Sequence, residues 1–160
     1  MMKQKFTRNQ INGFMIAIRQ IILDAKKGIR TNGQFAYGIK KISNAIQSEL
    51  ESIDAYEKEH LKEYNEERNA LLKTFEKKKG TEEIENVIIP ANSIDAMNKL
   101  KILNEKHKII LEAHKAFMNG EVELDLWLID VKDIPTEISY TIIDNFDSLI
   151  IEKIKMEIKE

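Results

Sequence analysis

His60, His107 and His114 are the side chains of this sequence best able to ligate a metal or to exchange a proton near neutral pH. His107 and His114 are seven residues apart, so on a helix both fall on one side. Glu57, Glu63 and Glu67 lie close to His60 in sequence. If the two stretches run antiparallel, with facing residue numbers adding to about 171, His60 lies level with Ile110–Leu111, between the other two histidines. A carboxylate–imidazole metal site is then conceivable. However, a spacing of seven leaves the His107 and His114 imidazoles about 10 Å apart on a straight helix. The simpler expectation is histidines hydrogen-bonded at the edge of a helical seam, with no metal and no cofactor.

The carboxylates are concentrated between Glu49 and Glu67 and between Glu121 and Asp147. Acid–base catalysis needs two of them held in a cleft with separated pKa values. Here they alternate with Lys58, Lys62 and Arg68, as charges on a solvated helix face do. No Ser or Thr stands in a nucleophile-elbow, kinase or P-loop context. A non-enzymatic protein is expected.

A third constellation is basic. Lys26, Lys27, Arg30, Thr31 and Asn32 surround Gly28 and Gly33, and Tyr37, Lys40 and Lys41 follow. A helix starting after this loop directs free N–H groups and the positive end of its dipole back at the loop. Lys27, Arg30, Thr31, Asn32, Tyr37 and Lys41 are therefore the candidate anion- or phosphate-binding residues, offering charge, donors and one aromatic face. The competing reading is an ordinary helix–helix corner with solvated lysines. The net charge of −2 conceals the asymmetry: residues 1–41 carry +8, and the remainder −10. Duplex nucleic acid fits poorly, because the acidic remainder repels a long polyanion.

The elements that must position these residues are mostly helical. Ile11, Phe14, Ile18, Ile21 and Ile22 recur at helical spacing over 8–27; Thr7 and Gln10 have capping-box spacing, and Gly28 supplies a left-handed stop. A second helix is expected over 34–78, on the stripe Phe35, Ile39, Ile42, Ile46, Leu50 and Ile53, resuming at Leu61. At about 1.5 Å per residue it spans roughly 65 Å, so it must project or pair along its length. Its stripe is interrupted over Glu57–His60, where a bend is possible. A third helix over 93–119 returns antiparallel. Val122, Leu124, Leu126 and Leu128 alternate with outward residues, which predicts a short extended segment over 122–129. The only other apolar extended patch, Val87–Ile89, belongs to the hairpin tip, about 40 Å away. Pairing within one chain is therefore not expected; the segment either lies across the helices or pairs between subunits. A last helix is expected over 135–159. The fold class is mainly all-α, a long antiparallel helical hairpin carrying an N-terminal and a C-terminal helix, in one domain.

Composition agrees. With 160 residues, 42% hydrophobic and 32% charged, and only 6 Gly and 2 Pro, the chain suits helices. Without Cys, disulfides and Cys-ligated zinc are excluded. No stretch reads as a signal peptide or a membrane span.

From Phe35 to Leu50 the chain reads Phe-Ala-Tyr-Gly-Ile-Lys-Lys-Ile-Ser-Asn-Ala-Ile-Gln-Ser-Glu-Leu. This resembles a group of small phage-encoded helical proteins, through Tyr37, Ile39, Lys41, Ile46, Glu49 and Leu50. The similarity extends over about 34–151 and includes the closing Glu121-Val122-Glu123-Leu124 segment. Where such proteins usually carry Asn after the Lys, this chain has Ile42, so any pocket that Asn shapes is altered. The resemblance implies a phage protein with a helical-hairpin fold. Exposed apolar stripes of this length require partner helices, so a homo-oligomer is expected. Two functions follow: stoichiometric inhibition of host antiviral defence in the host cytoplasm, by sequestering a phosphate-bearing signal or capping a host protein, or a virion structural or assembly role.

Overall fold

The computed structural model describes residues 3–28, 33–76 and 94–151. The chain is mainly helical with a few short strands, and its contacts form two compact units.

The first unit joins the chain up to Ile53 with the chain from Met118 onward. Strand β1 (Gln4–Thr7) runs directly into helix α1 (Arg8–Lys26). The junction is a complete capping box: the Gln10 N–H donates to Thr7 Oγ1 at 3.1 Å, and the Thr7 N–H donates to Gln10 Oε1 at 2.8 Å. Gly28, at φ +95°, terminates the helix in the left-handed conformation expected of it. Helix α2 (Gly33–His60) contributes Phe35, Ile39, Ile42 and Ile46 to the core, on the stripe read from the sequence. These residues pack with Phe14 and Ile18 of α1 and with Ile142 of α6 (Tyr140–Asn145). Phe14 sits at the centre, stacked 5.9 Å from Phe146 and edge-on to Phe6 at 5.6 Å.

The extended segment corrects one expectation. Strand β2 (Glu121–Leu124) pairs within the chain, antiparallel to β1, with Phe6 opposite Val122. The partner was missed because a four-residue strand, Gln-Lys-Phe-Thr, with one buried side chain has no legible period. Val87–Ile89 lie outside the described residues. A second short ladder pairs β3 (Ile129–Asp130) with β4 (Ile150–Ile151), parallel.

The last helix is also shorter than expected over the described residues. Helical structure is confined to α6 and a 3-10 turn at Asp147–Leu149. The β-branched pair Ile150–Ile151 instead joins a ladder, where such side chains fit better than in a helix.

The second unit, Asp54–Phe117, contains the end of α2, then α3 (Lys62–Glu76), α4 (Ile94–Lys106) and most of α5 (Lys108–Asn119). The expected helices over 34–78 and 93–119 are each interrupted once, at Leu61 and at His107. The backbone hydrogen bonds continue through both points: Leu61 N–H donates to Glu57 O at 2.9 Å and His107 N–H to Leu103 O at 3.2 Å. These are local irregularities in continuous helices, and the first adjoins the gap in the apolar stripe. The hairpin is antiparallel in the register expected from the sequence. Glu57 meets His114, Tyr64 meets Asn104, and Glu67 meets Lys106. Two helices can bury only the stripe between them, so among the described residues of this unit the buried set is small: Leu61, Ala96, Leu103 and His107.

Candidate functional site

Tyr37 and Lys41 stand one turn apart on α2, both exposed, and Lys41 Nζ lies 5.3 Å from the centre of the Tyr37 ring. An exposed cation–π contact of this kind contributes about 0.5–1 kcal/mol, enough to bias a long side chain towards one position. Trp127 meets Tyr37 edge-on, with centroids 5.3 Å apart and planes at 86°. The indole is placed by its neighbours in sequence: Leu126 and Ile129 are both buried in the core of the first unit.

Gly38 makes this approach possible. A Cβ there would lie 2.8 Å from Trp127 Cδ1 and 2.9 Å from Nε1, so only the bare backbone of α2 admits the indole. The result is a surface of one cation and two aromatic rings, with Lys40 exposed beside it in sequence. Such a surface can hold an anion that carries a planar group, through charge and ring contact.

Of the candidate residues read from the sequence, Tyr37 and Lys41 are therefore brought together. Lys27 is exposed at the C-cap of α1. Arg30, Thr31 and Asn32 lie outside the described residues. Trp127 and Gly38 were missed, since Trp127 reads as one outward residue of an alternating segment. The available signal was Gly38 itself: a glycine inside a helix costs about 1 kcal/mol against Ala, so its presence marks a close approach. Ile42, where the resembled proteins carry Asn, is fully buried in the core. Glu49 lies 3.9 Å from Arg8, an ion pair between α2 and the start of α1.

The histidines occupy the seam and its edge, each beside a different carboxylate. His114 Nε2 is 3.1 Å from Glu57 Oε1, His107 Nε2 is 3.3 Å from Glu67 Oε2, and His60 Nε2 is 3.9 Å from Glu59 Oε2. Among the described residues, no three such groups converge as a metal would require. His107 is buried and lies edge-on to Tyr64. Its approach to Glu67 lacks hydrogen-bond geometry, so that contact is electrostatic. Lys106 Nζ donates to Glu67 Oε1 at 2.8 Å and, with the His107 imidazole adding to it, holds the Glu67 carboxyl below the usual carboxylate range. Tyr56 stacks on Phe117 at 3.9 Å, closing the seam at its other end.

Asp130 is buried too. Its Oδ1 accepts the Lys132 N–H at 3.1 Å and caps a 3-10 turn, a structural task. No described helix is long and apolar enough to cross a membrane. No family model, curated protein or solved structure matches the chain.

Proposed function

We propose that the chain is a phage protein that acts by binding, without catalysis: a helical oligomer in the host cytoplasm that stoichiometrically inhibits antiviral defence. On this reading the basic end sequesters a phosphate-bearing signal molecule. The observation that carries it is the exposed Lys41–Tyr37 pair against Trp127, within and beside the stretch that holds +8 of charge. A phosphate group would meet the lysines, and a planar group attached to it would meet the rings.

Trp127 is the only tryptophan of the chain, so its emission reports on this surface alone. Titration with adenosine triphosphate, with inorganic phosphate in parallel, is expected to change that emission saturably. Lys41→Glu, Tyr37→Ala and Arg30→Glu should each weaken binding about tenfold or more, with helicity by circular dichroism unchanged. No saturable change with either probe, or equal affinity in all three variants, removes the sequestration reading.

A virion structural or assembly role is the second reading. It draws support from the large apolar side chains left exposed on α4 and α5. Incorporation of the chain into purified particles, detected by mass spectrometry, would favour it over sequestration.

A further inference from the structure

Helix α1 packs through one apolar stripe, with Phe14, Ile18 and Ile21 buried along it. Three more large aliphatic side chains lie outside that stripe: Ile16, Ile22 and Leu23, which are 53%, 50% and 50% exposed. Ile16 and Leu23 are seven residues apart, two turns of the helix, and Arg19 lies one turn from each between them. Lys26 follows one turn after Ile22 and Leu23, and Lys27 stands beside it at the C-cap. Arg19, Lys26 and Lys27 are exposed as well, so cations and aliphatic groups share one solvent face.

Charge decides what this face meets. The one acid of α1, Asp24, is turned to Gln20, whose amide donates to it at 2.9 Å. Among the described residues, Arg19, Lys26 and Lys27 have no ion pair. The same face of a second copy would bring three more cations and no carboxylate to meet them, so it does not fit. Residues 152–160 hold three Lys and three Glu, with no net charge to offer. The occupant is therefore anionic. A protein surface fits less well, because Lys is depleted at protein interfaces and their energetic centres favour aromatic anchors, of which this face has none. Aliphatic groups with Lys and Arg beside them suit a helix lying in a lipid interface, where long cationic side chains reach the headgroups.

We infer that the outer face of α1 docks the chain on an anionic lipid surface, with the helix lying in the plane of the membrane. Ile16, Ile22 and Leu23 enter the boundary between headgroups and acyl chains, and Arg19 and Lys26 meet the anionic headgroups. The contact is shallow and reversible, since the aliphatic groups are few. Each cation close to such a surface contributes about fivefold in affinity. This inference goes beyond the functional reading above and does not depend on the phosphate site, whose Tyr37 and Lys41 stand on α2.

The test is co-sedimentation of the full chain with phosphatidylcholine vesicles, made with or without phosphatidylserine. Binding is expected only with phosphatidylserine and should weaken as salt rises. Arg19→Glu combined with Lys26→Glu should weaken it about 25-fold or more, and Leu23→Glu about tenfold or more. Helicity should be unchanged in both, since these side chains are exposed. Tyr37→Ala should leave vesicle binding intact, so this face and the phosphate site can fail separately. The chain has no native Cys, so insertion can be read directly. An environment-sensitive dye on Leu23→Cys should shift to the blue on phosphatidylserine vesicles. The same dye on Ile109→Cys, in the other unit and 84% exposed, should not. No vesicle binding, equal binding to phosphatidylcholine alone, or a shift at Ile109→Cys in place of Leu23→Cys would each overturn the inference. Binding to soluble polyglutamate, with no dye shift on vesicles, would overturn it in favour of an acidic protein partner.

Discussion

A methyl group at Gly38 would fall within 3 Å of the Trp127 indole, and two effects then compete. Helix propensity favours Ala over Gly by about 1 kcal/mol in an exposed helix. Here the indole must move, and it is a rigid group attached to a segment anchored by Leu126 and Ile129. The displacement is expected to win. Gly38→Ala should shift the Trp127 emission to the red and reduce stability, checked by fluorescence and denaturant melts. A more stable protein with unchanged emission would mean that the indole is free to lie elsewhere. Thr7 and Gln10 are the opposite case. Their bonds are local, three residues apart, and the capping box is readable directly from the spacing.

At the scale of elements, Glu67 links the arms of the hairpin through Lys106 and His107. Its carboxyl is held below the usual range, mainly by Lys106, so the folded state favours the charged form. The stabilisation is therefore complete above the ordinary carboxylate pKa of 4.5 and is lost as pH falls through the lower folded value. The Lys106 ammonium, raised by the same partner, loses its share only in alkali. Acidification from about pH 5 to pH 3 should lower the melting temperature of the wild type more than that of Glu67→Gln. Equal acid sensitivity would assign the loss to other groups.

The helices themselves were legible because Phe14–Ile18–Ile21 and Phe35–Ile39–Ile42–Ile46 repeat a period over many turns. The hairpin register followed from the length of the connection. The β1–β2 pairing was not legible, since Phe6 and Val122 are far apart in sequence and each strand is only four residues long. Nor was the end of the last helix, because Ile138, Ile142, Phe146 and Leu149 satisfy a helical period that α6 and the following 3-10 turn share between them. The candidate site was half legible. Tyr37 and Lys41 are one turn apart, whereas Trp127 reaches them only through the tertiary fold.

For the whole molecule, the two units differ in how they are held. The first has a core of large side chains around Phe14, Phe146 and Ile42. Phe14→Ala there should cost about 3–5 kcal/mol, read from denaturant melts. Native-state amide exchange should show the loss at β1 and α1, with the α3–α4 seam retaining its own, lower protection. Uniform loss across all amides would indicate a single cooperative block.

The β1–β2 ladder has one more consequence, for the order in which the chain folds. Gln4 is synthesised about 120 residues before its partner Leu124. The second unit is contiguous in sequence, while the first is assembled from both sides of it. Contacts of long separation bear a larger loop-closure entropy and form late. At 5–20 residues per second, about 6–24 s separate the synthesis of the two strands. For that interval α1 is complete while Phe6 and Phe14 still lack Val122 and Phe146, so the nascent chain exposes this apolar surface until the stretch from Val122 to Phe146 is made.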